Sequence, residues 1–283
     1  MKVPWLRPLR MAALSALRRP LILLYHRIAR VGFDPWALCV SPQHFEQHLH
    51  VLRRHKVVLP LAELVERMRA GRLPRHAATI TFDDGCADNL HCAKPLLERY
   101  DLPATFFLTT SNILRQREYW WDELGRIIVE TPALPARLTL ATGTRSEHWR
   151  VPCARADRAL LYLMLWRRLR VLDHDERENC LEALADWARV ERVPRASHRP
   201  LRGDEVVELS KGRMSIGAHT LTHPVLSALP AERQEQEIGD GKATLEALLV
   251  QPVEAFSYPY GALGPGTADV VRRAGFACAC ATG

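Results

Sequence analysis

The chain has 283 residues, of which 47% are hydrophobic and 25% are charged. This length and balance fit one large α/β domain or two small domains, and they exclude disorder as the default interpretation. The net charge of +7 comes from scattered arginines without a run of like charges. Nucleic-acid binding is therefore not expected, whereas an anionic glycan or membrane surface stays an alternative to a generally arginine-rich composition.

The cysteines and the N-terminal segment bear on location. Seven cysteines are present, an odd number without a Cys-x-x-Cys pair, which fits neither a disulfide framework nor a zinc knuckle. Residues 1–19 are basic, and their short apolar stretch at 11–17 ends at two arginines. We therefore expect no signal peptide, no transmembrane span and a cytoplasmic location.

Short apolar runs alternate with amphipathic stretches in the first part of the chain. Apolar runs bounded by turn signals predict buried strands, and apolar residues at helical spacing predict helices. Strands are predicted at residues 21–26, 56–59, 77–82 and 103–108, and helices after the N-cap Ser41, at 61–70 and before Tyr100. This alternation predicts an α/β fold with a parallel sheet or barrel.

Residues 113–200 depart from this rhythm. Their helical periodicity predicts a helical insertion within a single domain that spans residues 1–283. The strand–helix pattern resumes with a strand at 214–218, a long helix at 231–249 and a strand at 254–258. A helix at 267–274 and a strand at 276–280 follow.

Adjacent carboxylates follow one predicted strand, where the sequence reads Thr-Phe-Asp-Asp-Gly. Asp83 and Asp84 would lie at the carboxyl end of that strand, the end at which parallel α/β folds form active sites. A cation relieves the repulsion between such carboxylates, so one can bind a metal while the other acts as a base. A simple turn is the alternative, because Asp-Asp-Gly is also good turn chemistry.

Two histidines four residues apart follow another predicted strand. Imidazoles at this spacing can face one ion, and His219 and His223 with one carboxylate would suit zinc with open positions. His44 and His48 have the same spacing on a predicted helix, where we expect a solvated face. A third strand ends in Ser-Tyr-Pro-Tyr-Gly, so Tyr260 could line a pocket with its backbone N–H aimed at an oxyanion.

These three strand ends, in this order, resemble the motifs of the polysaccharide deacetylase family, the NodB-homology domain of carbohydrate esterase family 4. The motif T-F-D-D-G is matched at 81–85 and H-[ST]-x-x-H-P at 219–224. The third motif, R-x-P-Y, is matched at Pro259 and Tyr260, but Ser257 occupies the arginine position. The resemblance covers residues 20–112 and 200–283.

The resemblance implies a distorted (β/α) barrel with fewer than eight strands and removal of N-acetyl groups from a sugar. Asp84, His219 and His223 would hold a divalent metal, usually zinc, with cobalt or nickel as alternatives. Asp83 would be the general base, and the backbone N–H of Tyr260 would stabilise the oxyanion. The implied substrate is an N-acetylated glycan or a lipid-linked oligosaccharide.

The sequence departs from the family pattern in three ways. The usual L-x-H motif near the C-terminus is absent, but Leu24-Tyr25-His26 reads L-x-H on the first strand. This permuted order resembles the poly-N-acetylglucosamine deacetylase branch and makes His26 the candidate general acid, with a structural histidine as the alternative. The arginine that pairs with the base is replaced by Ser257, and no other partner is evident. Residues 276–283 resemble the beginning of a strand and a loop. We therefore expect that a C-terminal segment is missing and that the sheet has an open edge.

Aromatic residues in the insertion supply the remaining candidates. Trp120 and Trp121 are candidate sugar-binding residues together with Pro259 and Tyr260, although packing in a helical core is the alternative for the tryptophans. The predicted helix at 159–171 has an apolar face and an arginine-rich face, so it would dock on the barrel or make a peripheral contact with anionic lipid. Two rival functions remain, namely a catalytically impaired carbohydrate-binding relative and an amidohydrolase that acts on a different amide.

Overall fold

The computed structural model describes residues 19–142 and 145–282. The N-terminal stretch on which the signal-peptide expectation rests lies outside the described residues. The strands are β1 (Leu21–Tyr25), β2 (Arg27–Ile28), β3 (Cys39–Val40), β4 (Val57–Val58), β5 (Ala77–Phe82), β6 (Ala104–Leu108), β7 (Arg137–Thr142), β8 (Arg145–Arg150), β9 (Met214–Ala218), β10 (Ala255–Ser257) and β11 (Cys278–Cys280).

The α-helices of the described residues are α1 (Pro42–His55), α2 (Leu61–Arg69), α3 (Lys94–Arg99), α4 (Thr110–Arg115), α5 (Trp120–Gly125), α6 (Arg158–Leu169), α7 (His174–Ala188), α8 (Gly203–Leu209), α9 (Ala231–Leu249) and α10 (Thr267–Arg273). Wider π-helical turns lie before α3 at Asn89–Ala93 and after α5 at Arg126–Glu130. Ser41 caps α1 as expected, because its hydroxyl accepts a hydrogen bond from the backbone N–H of His44.

A curled parallel sheet organises the fold. Its strands run in the order β1, β5, β6, β9, β10 and β11, and β4 pairs with the beginning of β5. Each of these pairings is parallel. The prediction of a distorted barrel with fewer than eight strands is confirmed, and the N-terminal β1 lies at one edge of the sheet, beside β5.

Apolar packing joins the sheet to its helices. Strand β5 is buried along its whole length, as expected for a parallel strand covered on both faces. Its Phe82 stacks on Phe106 of β6 with ring centroids 4.6 Å apart. Helix α1 places Phe45 and Leu49 in the same core, and α9 adds Ile238. This core holds the carboxyl ends of the central strands in fixed relation.

The chain between β6 and β9 forms a second apolar core. Helices α5, α6 and α7 pack there against the antiparallel hairpin of β7 and β8. The predicted helices are present, and the hairpin is an additional element that the sequence analysis did not predict. Leu138 and Leu140 alternate with exposed neighbours along β7, which is the period-two pattern of a half-buried strand.

The buried Arg158 secures the start of α6. Its guanidinium donates to four backbone carbonyls, those of Thr131, Pro132, Pro152 and Cys153. These contacts satisfy a charge that burial would otherwise penalise. Along the described chain, the longest helices are too short or too polar for a bilayer-crossing segment.

Candidate active site

Three strand ends meet at one edge of the sheet around a cleft. Asp83 and Asp84 follow β5, His219 and His223 follow β9, and Tyr260 follows β10. All five side chains line a cavity of about 390 Å³. The predicted convergence of the candidate site residues is therefore present in the structure.

Asp84, His219 and His223 form a cluster that could hold a metal ion. Their ligand atoms lie within 4.8 Å of one another, and all three residues are buried. The Asp84 Oδ1 atom is 3.3 Å from His223 Nε2 and 3.6 Å from His219 Nε2. This oxygen is buried without a hydrogen-bond partner among the described residues. A carboxylate oxygen that lacks a hydrogen-bond partner and lies beside two imidazoles fits a site for a divalent transition metal.

His219 is held in the protonation state that a metal ligand needs. Its Nδ1–H donates to the backbone carbonyl of Ser257 over 2.8 Å, which leaves Nε2 directed at Asp84. Burial, with a smaller contribution from His223, lowers the pKa of His219 to about 3. Because a neutral imidazole is the form that binds metal, this partner fixes both the tautomer and the orientation.

Hydrogen bonds to helix α9 hold the turn between His219 and His223 in place. The buried carboxylate of Glu237 accepts from the backbone N–H of Thr222 at 2.8 Å and from its hydroxyl at 2.6 Å. Gly241, one turn further along α9, allows the helix to approach closely, since a Cβ there would lie 2.8 Å from the carbonyl carbon of Thr220. The sequence analysis did not identify these residues, and only their spacing of four residues along α9 hints at a shared face.

Backbone strain collects around the cleft. Asp84, Thr220, His223 and Tyr260 all have positive φ angles, of 76°, 67°, 57° and 59°. Such conformations cost free energy for residues with a Cβ and persist where the surroundings impose them. Four residues at this site share this feature, which indicates that the surrounding structure constrains the backbone there.

Asp84 owes its conformation to two contacts on its carbonyl oxygen. The backbone N–H of Thr109 donates to it at 3.0 Å, and the buried hydroxyl of Tyr119 donates at 2.5 Å. The next residue, Gly85, has φ of 98°, and a Cβ there would lie 2.8 Å from Leu108 Cδ2. The Asp-Asp-Gly segment therefore has a geometry that depends on its glycine.

Asp83 is buried and has a single side-chain donor among the described residues. The hydroxyl of Ser257 donates to its Oδ2 over 3.1 Å, and its Oδ1 has no partner there. Burial, reinforced by the neighbouring charge of Asp84, raises the pKa of Asp83 well above its usual range, although Ser257 opposes the shift. Ser257, which occupies the family's arginine position, thus supplies the contact for which the sequence offered no candidate.

His26 lies opposite Asp83 across the two neighbouring strands. Tyr25 pairs with Phe82, so His26 and Asp83 each follow the last paired residue of their strand. Both line the cleft. The side-chain amide of Asn89 donates to the carbonyl of His26 at 2.9 Å, and burial lowers the pKa of the His26 imidazole. The N-terminal strand therefore brings an imidazole to the edge that carries the carboxylates.

Of the candidate sugar-binding residues, some line the cleft and others are buried away from it. Trp121 lines the cleft, and its ring lies 4.8 Å from that of His223. Trp120 is buried against Trp166 and is not among the lining residues, and Pro259 is likewise buried behind the wall. His44 and His48 are exposed on α1, as expected for a solvated face.

Further side chains that the sequence analysis did not assign to the site also line the cleft, among them Trp36, Trp166 and Arg170. Trp36 comes from the segment between β2 and β3, and Trp166 and Arg170 come from α6 and the residue following its end. Trp36 and Trp166 pack with ring centroids 4.4 Å apart. Their presence at the cleft depends on how the insertion docks, which the local sequence does not encode.

Comparison with known proteins gives one family match. The family described as polysaccharide deacetylase matches residues 70–131 and 187–279, together more than half of the chain. The poly-beta-1,6-N-acetyl-D-glucosamine N-deacetylase of Staphylococcus aureus is 28% identical over 119 residues, 38% of this chain and 41% of that protein. The enzyme of the same description from Staphylococcus epidermidis is 33% identical over 75 residues, 26% of either chain. The match spans less than half the length of these relatives.

Solved structures extend the likeness across the fold. The deacetylase PplD of Streptococcus pyogenes, in complex with acetate, superposes with a TM-score of 0.57 at 20% identity and covers 90% of this chain and 80% of its own. IcaB from Ammonifex degensii superposes with a TM-score of 0.56 at 20% identity, covering 92% and 82%. At this identity the likeness establishes a shared fold, which agrees with the curled parallel sheet described above.

Proposed function

The chain belongs to the polysaccharide deacetylase family, and we propose that it is a metal-dependent hydrolase that removes N-acetyl groups from an N-acetylated glycan. The observation that carries this proposal is the shared cleft of the Asp84, His219 and His223 cluster, the buried carboxylate of Asp83 and the imidazole of His26. A relative that only binds carbohydrate has no need of a second buried carboxylate beside a metal-ligand cluster.

We propose zinc as the metal, with cobalt or nickel as functional substitutes. Two histidines and one carboxylate leave coordination positions open, as in catalytic zinc sites. When bound, a divalent metal supplies Lewis-acid polarisation and makes water more acidic at neutral pH. The residues that would hold it are Asp84, His219 and His223, each already oriented by contacts within the protein.

The other residues of the cleft accept a proton, stabilise the oxyanion or donate a proton. Asp83 takes a proton from the attacking water, and Ser257 keeps its carboxylate oriented. The backbone N–H of Tyr260 faces the oxyanion that forms as water adds to the acetamide carbon. His26 donates a proton to the nitrogen as the C–N bond breaks, so the products are acetate and a free amine. Trp121 would contact the sugar face.

Acetate release from defined glycans tests this function. Chitin-type, β-1,6-linked and peptidoglycan-type oligomers are assayed with added zinc, cobalt or nickel. The matches to poly-N-acetylglucosamine deacetylases favour the β-1,6-linked oligomer, and acetate release from it is the expected result. Glycan binding without acetate release from any oligomer would instead favour a non-catalytic relative, and hydrolysis confined to a non-sugar amide would favour the amidohydrolase alternative.

Variants assign the roles. Asp83→Asn should abolish acetate release and keep the metal, whereas His219→Ala should lose the metal, and His26→Ala should slow turnover by about 10²–10⁴-fold. His44→Ala is a matched control, since His44 belongs to a pair with the same spacing on an exposed helix face. Full metal occupancy in His219→Ala would contradict the ligand set, and wild-type turnover in His26→Ala would contradict the general acid.

A further inference from the structure

Arg170 is the one arginine or lysine side chain among the described residues that line the cleft. It immediately follows helix α6 and lies four residues after Trp166, so the two side chains share a helix face. No hydrogen bond or ion pair to its guanidinium is found within the described part of the chain. The two acidic residues of the cleft are engaged elsewhere, Asp83 with Ser257 and Asp84 with the histidines.

Aromatic rings hold this guanidinium in place. Its central carbon lies 4.9 Å from the centre of the Trp166 ring and 5.4 Å from that of Tyr260. A guanidinium stacked on aromatic faces is oriented without using its N–H groups, which point outward in the plane of the group. The N–H groups of Arg170 are therefore oriented at the cleft and are free to donate hydrogen bonds to a ligand.

The neighbouring wall suits a sugar ring. Trp36, packed against Trp166, keeps 38% of its surface exposed at the mouth of the cleft. A large amphipathic ring at a cleft mouth offers stacking area, and a few convergent polar groups then fix the orientation of a ligand. Trp36, Trp166 and Arg170 together make up a surface next to the proposed reaction centre, which we term the rim site.

We propose that the rim site binds a saccharide bearing a carboxylate or phosphate, adjacent to the N-acetylated sugar that is hydrolysed. This inference rests on the proposed function and adds a substrate class to it. Arginine pairs with carboxylate or phosphate through two parallel hydrogen bonds. The same fixed positive charge repels the ammonium group that deacetylation leaves behind. The rim site thus favours an anionic neighbour over a sugar that has already been deacetylated.

Pairs of one anionic and one neutral ligand test the rim site. Binding of the disaccharide of glucuronate and N-acetylglucosamine is compared with that of diacetylchitobiose, and N-acetylglucosamine 1-phosphate with its methyl glycoside, by quenching of tryptophan fluorescence. The first pair tests carboxylate recognition and the second tests phosphate. At low salt we expect the anionic member of at least one pair to bind about tenfold more tightly, equivalent to about 1.4 kcal/mol, and the ratio to shrink as salt is added.

Variants locate the source of the preference. Arg170→Gln should bring the ratio of affinities close to one, and Arg170→Lys should retain part of the preference because the charge remains. Arg167→Gln is the matched control, an exposed arginine on the same helix that does not line the cleft, and it should keep the wild-type ratio. Equal affinity for both members of both pairs in the wild type, or an undiminished ratio in Arg170→Gln, would overturn the proposal.

Acetate release measured on the same proteins separates the two proposals. Because the affinity ratio is a binding measurement, it decides the rim site even if no probe is hydrolysed. Absence of acetate release from every probe and glycan would overturn the proposed function alone. Acetate release together with equal affinities would overturn the rim site alone.

Discussion

Replacement of Ser257 by alanine isolates the contact that orients the proposed base. The hydroxyl of Ser257 donates to Asp83 Oδ2 over 3.1 Å, and it is the one side-chain donor to this carboxylate among the described residues. The backbone carbonyl of the same residue accepts from His219 Nδ1. Alanine removes the first contact and keeps the second, so the proposed base loses its partner while the proposed metal ligand keeps its own.

The expected magnitude follows from the kind of hydrogen bond that is lost. A hydrogen bond to a charged group contributes about 1.5–3 kcal/mol, and both partners here are largely shielded from solvent. If the contact persists in the transition state, kcat/KM falls by about 10- to 100-fold. Most of the loss should appear in kcat, because Asp83 is proposed to act on water and not to bind the glycan.

Acetate release and metal content together provide the assay. Ser257→Thr should recover much of the activity, since it restores a hydroxyl and a β-branched residue suits a strand. Ser215→Ala, on the exposed side of β9, is the control that should change neither quantity. A wild-type kcat/KM in Ser257→Ala would refute the reasoning, and a parallel loss of metal would show that the residue acts through His219.

Three further predictions concern helix α9 and the stability of the fold. Glu237→Gln should weaken metal binding by about 10- to 100-fold in competition with a chelator, whereas Glu235→Gln on the exposed face of the same helix should not. Gly241→Ala should lower the free energy of unfolding by about 1–3 kcal/mol through overpacking. Gly239→Ala, which has no atom within 4 Å of the added Cβ, should not, and equal unfolding midpoints would contradict the close-approach argument. Burial alone would raise the pKa of Glu205, but hydrogen bonds from the side chain of Arg199 and the backbone N–H of Arg202 lower it to about 2 from the usual 4.5. Its stabilising contribution is therefore complete above pH 4.5 and is lost as the pH falls through about 2, so denaturant unfolding of Glu205→Gln should show a weaker decline across that window.

The sequence predicted the central elements of the fold closely. The strand at 77–82, the strand at 214–218 and the helix at 231–249 have the bounds expected. Buried parallel strands consist of continuous apolar runs, and these runs carry a strong local signal. The hairpin of β7 and β8 was missed because it lies on the surface of the insertion, where only Leu138 and Leu140 show the alternation.

The candidate site was predictable in its residues but not in its supporting contacts. Asp84, His219 and His223 were identified from motifs, and the structure clusters them. The hydroxyl contact between Ser257 and Asp83 joins two strands far apart in the chain. Arg170 enters the cleft through the docking of the insertion. Contacts of this kind arise from tertiary packing, which a periodicity in the sequence does not report.

The insertion also separates the residues of the proposed metal site along the chain. Asp84 follows β5, which pairs with β1 and β6 over shorter separations, as Leu21 with Ala78 and Thr81 with Thr105 show. His219 follows β9, whose pairing with β6 joins Ala104 to Met214, about 110 positions apart. Closing so long a loop costs configurational entropy, and the separate apolar core of the insertion shortens the effective loop once it has folded.

During synthesis Asp84 therefore emerges well before His219 and His223. The proposed ligands come together only when β9 has paired with β6, so we expect metal binding to require that pairing. A substitution that loosens the insertion core would then lower metal occupancy even though every ligand is intact. The insertion would then influence metal binding through its fold as well as through the Trp166 and Arg170 side chains that line the cleft.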